Sequence, residues 1–170
     1  PKNFAELEKM LEFGVNIEKP VFIRYPRGGE NYKFEKVEKI ELGKSEIIQN
    51  GTDLSIIAIG KMVGRAKEVA NLLPEKSIEI INARFLKPLD EKTILKSIQK
   101  TKHVVTIEDN LLRGGMGTAI IELINKSNIE NVKVKTFGYD DIFVEHGKVE
   151  ELEEKYGLTA EKIAKDISII

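Results

Sequence analysis

From residue 45 onward, apolar runs of strand length alternate with stretches of helical periodicity, and only short connections separate them. "SEIIQ" and "LSIIAIG" read as strands. Residues 62–73 then place Val63, Ala66, Val69, Ala70 and Leu73 on one helical face, with Pro74 to end it. "SIEIINARF" is a strand, and Asp90 is a suitable N-cap for a helix over 91–99. "HVVTIE", a helix over 116–126 and "VKVKTFG" follow. Two helices, 148–155 and 160–167, close the chain, the second capped by Thr159. Such alternation predicts a three-layer α/β/α domain over 45–170, its mostly parallel sheet covered on both faces. Asn50-Gly51, between the first two strands, predicts a type I′ hairpin and with it one antiparallel edge strand.

The first 44 residues do not share this pattern. "AELEKMLEF" (5–13) puts Leu7, Met10, Leu11 and Phe4 toward one face of a helix ending at Gly14. "PVFIRYPRGG" reads as a short strand, Val21 to Ile23, stopped by a Pro-Arg-Gly-Gly turn. One helix and one strand bury each other poorly, so residues 1–30 read as the tail of a domain whose remainder lies elsewhere. The chain opens on Pro1 rather than Met, which fits the same expectation of a fragment. Residues 31–44 are charged with scattered apolar positions and read as a linker carrying short extended pieces.

Composition narrows the function classes. There are 27 basic against 28 acidic residues among 170, a net charge of -1, which gives no reason to expect nucleic acid or an anionic membrane as partner. No apolar run reaches the roughly 20 residues of a membrane span, and no secretory segment opens the chain. Cysteine is absent, which removes disulfides, thiolate nucleophiles and cysteine zinc sites. A cytoplasmic domain is the expectation.

Several stretches invite a chemical reading. "EDNLLRGGMGTAIIELI" (108–124) has the strand–glycine–helix order of a phosphate cradle. Gly115 and Gly117 supply two glycines of a dinucleotide fingerprint, but Ile120 occupies the third position and the loop lies late in the domain. A tight corner that lets the helix press on the sheet is the expectation, with Glu108-Asp109 accepting loop amides or lying near the helix start. Those two cannot form a cooperating acid pair, since neighbours on a strand point to opposite faces. In "IRYPRGG", Arg24 and Arg27 flank Tyr25-Pro26 at a strand end, where a guanidinium fork suits a phosphate or carboxylate and equally suits solvent or a neighbouring acid. In "NARFLKPLDE", Arg84 and Lys87 fit a capping turn or an anion contact. His103 and His146 stand apart, with no metal-binding spacing between them.

Taken in order, "PVFIRYPRG", "LSIIAIGKMV", "INARFLKPLDE", "VVTIEDNLLRGGMGTAIIEL" and "GYDDIFVEHGKVEELEEKYGLT" resemble the carboxy-terminal part of the 1-deoxy-D-xylulose-5-phosphate synthases, thiamine-diphosphate-dependent members of the transketolase family. The resemblance implies that residues 1–30 end the pyrimidine-binding middle domain, that 31–44 link, and that 45–170 form a transketolase C-terminal-like domain. It implies an enzyme joining pyruvate to glyceraldehyde 3-phosphate with loss of carbon dioxide, toward isoprenoid, thiamine and pyridoxal precursors. Thiamine diphosphate and Mg2+ would then be held by domains absent here, leaving no catalytic, cofactor or metal residue in this chain. Its partners would be the rest of its own chain and a second subunit in a homodimer, and alone it would be inactive. By the same resemblance an arginine of "RYPRG" holds the substrate phosphate: Arg24, with Arg27 as second candidate. A beta component of a ketoacid dehydrogenase or split transketolase, and a stand-alone binding domain, are the competing expectations.

Overall fold

A computed structural model describes residues 1–30, 32–34 and 37–168. Asn31, Glu35 and Lys36 of the expected linker, and the final two residues of the expected domain, lie outside the described residues. The elements are α1 (Phe4–Asn16), β1 (Glu46–Gln49), β2 (Leu54–Ala58), α2 (Met62–Asn71), β3 (Ile78–Asn82), α3 (Glu91–Thr101), β4 (His103–Leu111), α4 (Met116–Ser127), β5 (Lys133–Tyr139), α5 (Val149–Lys155) and α6 (Ala160–Ile167).

The strands form one five-stranded sheet in the order β1-β3-β2-β4-β5. β3, β2, β4 and β5 run parallel, and β1 joins β3 antiparallel at the edge. Every residue of β2 and β3 is buried, as a strand covered on both faces requires. α2 and α6 pack on one face through Val63, Ala66, Val69, Ile163 and Ile167; Ile94, Ile98, Met116 and Ile120 of α3 and α4 fill the other. Two of the expected N-caps are in place: Asp90 accepts from Thr93 N at 3.2 Å and Thr159 from Lys162 N at 3.4 Å. The three-layer architecture expected from the alternation is thus present.

Three local expectations fail. β1 and β2 do not form a hairpin, because β3 lies between them. Neither Asn50 nor Gly51 has a positive φ; Gly51 is required for another reason, since an added Cβ would lie 2.2 Å from the carbonyl carbon of Ile78. The chain here reverses direction by crossing over the start of β3 rather than through a tight two-residue turn. Second, Val21 to Ile23 are not a strand: residues 20–26 carry no regular secondary structure and have no ladder partner among the described residues. Third, α1 runs through Gly14 to Asn16, and the side chains it buries are Glu6 and Met10, while Phe4 and Leu11 stay exposed. A charged residue anchors this helix, for a reason that lies at the sheet edge.

Candidate functional site

Parallel strands bring their carboxyl ends to one edge, the usual ligand-binding edge of an open α/β sheet. Here Ile59-Gly60-Lys61 after β2, Arg84-Phe85 after β3, and Glu108 to Asn110 of β4 meet there. The amino-terminal segment lies across them: Pro1, Met10 and Phe13 of α1 and residues 19–26 enclose, with the sheet edge, a cavity of about 650 Å³. Phe13 meets Phe85 edge-on, ring centroids 6.0 Å apart.

The glycine loop forms one wall. The Glu108 carboxylate, 1% exposed, accepts from the backbone N–H of Met116 and of Gly117, each at 2.8 Å. These amides open α4 and are the donors a phosphate cradle would use, so an internal carboxylate takes the anion's place. Gly114, with φ 73°, supplies the reversal, and Gly117 lets α4 approach Thr106 and Thr136 on the sheet. The corner is structural, and of the two expected roles Glu108 takes the one at the start of the following helix, accepting the first amides of α4 rather than loop amides.

Asp109 faces the other way. Its carboxylate pairs with Lys61 Nζ at 3.2 Å, and Lys61 also pairs with Glu153 of α5 at 2.9 Å. Arg65 of α2 completes the group by bonding Glu153 at 2.6 Å. Burial pushes the Tyr139 hydroxyl up to about 12, assisted by the negative charges of Asp109 and Glu153. Glu108 and Asp109 therefore serve opposite faces and do not cooperate as an acid pair.

Arg24 lines the cavity, exposed, and donates from Nη2 to the backbone carbonyl of Asp109 at 3.0 Å. Arg27 is also exposed and makes no hydrogen bond or ion pair among the described residues. The two arginines share a segment, but only Arg24 reaches the sheet edge.

Arg84 is neither a cap nor a surface anion site. Its φ of 55° lies in the left-handed region, strained for a side chain of this size. Nε bonds Glu6 at 2.8 Å and Nη2 pairs with Glu46 at 3.1 Å. Lys2 pairs with both of these glutamates, and Asn82 Nδ2 donates to Glu6 at 2.9 Å. This buried cluster explains why Glu6 anchors α1. Sequence reading missed it: Glu6, Glu46 and Arg84 carry no local pattern, and only the i, i+4 spacing of Lys2 and Glu6 hints at a pairing. His103 and His146 lie apart from this site, at the amino end of β4 and in the loop before α5, and no group of three or more metal-ligating side chains occurs among the described residues.

Comparison with known proteins bears on the family and the fold. The family model described as "Transketolase, C-terminal domain" matches residues 43–163. A 1-deoxy-D-xylulose-5-phosphate synthase of Heliobacterium modesticaldum is 41% identical over 97% of this chain, and one of Dictyoglomus turgidum is 44% identical over 98%. The chain spans 26% and 28% of the length of these relatives. Among solved structures, a split gene transketolase described as an inactive beta4 tetramer superposes with a TM-score of 0.91 at 30% identity, over 99% of this chain and 55% of that one. A transketolase from Campylobacter jejuni shares the fold alone, at 16% identity and TM-score 0.57, over 75% of this chain and 19% of that one. The split gene match takes in the amino-terminal segment as well as the sheet, and with the family match over the sheet it leaves one placement: this chain belongs to the transketolase C-terminal domain family.

Proposed function

We propose that the chain is the carboxy-terminal part of a 1-deoxy-D-xylulose-5-phosphate synthase. The full enzyme would condense pyruvate with glyceraldehyde 3-phosphate and release carbon dioxide, in the cytoplasm and as a homodimer. The observation that carries the reading is identity of 41% and 44% to such synthases over nearly the whole chain. Residues 1–30 would close the middle domain, 31–44 would link, and 45–170 would form the third domain. Thiamine diphosphate would supply the carbanion chemistry, with Mg2+ holding its diphosphate, in domains outside this chain. The glycine loop described here does not suit that cofactor: Glu108 fills the helix start that would cradle a diphosphate. No step is therefore assigned to the cofactor here, and the chain alone would be inactive.

Its own contribution would be to the acceptor substrate. Arg24, at the cavity edge with one donor already fixed on Asp109, would hold the phosphate of glyceraldehyde 3-phosphate, and Arg27 would stand beside it. The test is Arg24→Ala in the full-length enzyme. Loss of an arginine–phosphate contact is expected to cost about 1.5–3 kcal/mol, raising the KM for glyceraldehyde 3-phosphate roughly tenfold to a hundredfold while leaving that for pyruvate in place. An unchanged KM would remove the assignment.

A second reading has its own support, the TM-score of 0.91 to a split gene transketolase over 99% of this chain. The reaction separates the two. Carbon dioxide release from pyruvate that depends on glyceraldehyde 3-phosphate belongs to the synthase, and two-carbon transfer from a ketose phosphate belongs to the transketolase.

A further inference from the structure

We infer that Asp109 is a positioning residue for Arg24, so that the third domain sets the geometry of the phosphate site without touching the substrate. The inference rests on the reading of Arg24 as the phosphate ligand. Residues 19–26 belong to no helix or strand, and the hydrogen bond that ties Arg24 to the sheet edge runs to the carbonyl of Asp109. An unanchored arginine has rotamer entropy to lose on binding. One Nη held in advance lowers that cost and leaves the other N–H groups for an anion.

The carbonyl is available because the β4–β5 register is irregular between Ile107 and Leu111, so Asp109 lies outside the regular ladder. It is held from both faces. On one, Glu108 is pinned by two amides of α4. On the other, the Asp109 carboxylate is paired with Lys61, which Glu153 grips in turn. Loosening either anchor leaves the guanidinium in place chemically but less ordered.

Steady-state kinetics of the full-length enzyme test this with Asp109→Ala, Lys61→Met, Arg24→Ala and the two pairings with Arg24→Ala. Asp109→Ala and Lys61→Met should each raise the KM for glyceraldehyde 3-phosphate by roughly three- to tenfold, the size of ordering one rotamer-rich side chain, with the KM for pyruvate unmoved. Lys61→Met carries the test if Asp109→Ala does not fold. On an Arg24→Ala background neither should add anything, because the residue they position is gone. An equal rise on that background, or a parallel rise for pyruvate, overturns the inference. If Arg24→Ala raises the KM but neither anchor variant does, the inference alone falls. If Arg24→Ala itself changes nothing, the phosphate reading falls and takes the inference with it.

Discussion

At Gly115 an added Cβ would lie 2.3 Å from Oε2 of Glu108 and 2.5 Å from the carbonyl oxygen of Leu111. The carboxylate cannot swing aside, since Met116 and Gly117 amides hold both its oxygens. Gly115→Ala is therefore expected to destabilise the fold by about 1–3 kcal/mol or more, through overpacking and a disturbed cap. Gly29→Ala, where nothing among the described residues lies within 4 Å, is the control and should move the urea midpoint little. Equal midpoints for the two variants would show that the Glu108 clamp yields. The same residues show why the loop is ambiguous in sequence. Glycine before a helix serves either a bound phosphate or an internal carboxylate, and only the position of Glu108, eight and nine residues upstream of its donors, distinguishes them.

Among the elements, those with strong periodicity and local caps were legible. α3 is an example: Asp90 accepts from Thr93 N, and its other oxygen takes both N and Oγ of Ser45 at 2.9 and 3.0 Å. Burial alone would raise the Asp90 carboxyl, yet the Ser45 and Thr93 donors hold it below its ordinary range. Because the residue caps a helix and ties down the approach to β1, Asp90→Ala is expected to cost about 2 kcal/mol, the upper end for a cap. A thermal melt checks it, and a loss of only a few tenths would mean the Ser45 bonds contribute nothing. Strand pairing was less legible. Asn50-Gly51 fits a hairpin locally, but β3 inserts between β1 and β2, and Gly51 is spent on backbone contact with Ile78. "VFI" has the composition of a strand and no ladder partner among the described residues, since pairing depends on tertiary context that no local pattern specifies.

For the molecule as a whole, the least legible feature is also the one that joins its parts. Lys2, Glu6, Glu46 and Arg84 balance two positive and two negative charges in a buried cluster between α1 and the sheet edge. A cluster of this kind is weak evidence for net stability, but removing one member leaves the others buried and uncompensated, at a cost on the order of 3–5 kcal/mol. Glu6 makes this testable by pH. Desolvation would raise its pKa, but the charge and backbone amide of Lys2, with the Arg84 guanidinium, hold it below the ordinary value of 4.5. A depressed folded value means the folded state favours the carboxylate. The contribution is then complete above 4.5 and is lost as the pH falls from there through the folded value. Glu6→Gln lacks this titration, while carboxylates outside the cluster titrate in both proteins and cancel in the difference. The advantage of the unaltered protein over Glu6→Gln in urea unfolding should be constant near neutrality and shrink steadily below 4.5. A difference that stayed flat into acid would mean that Glu6 is not held as a carboxylate, and the cluster would then join α1 to the sheet by packing rather than by charge.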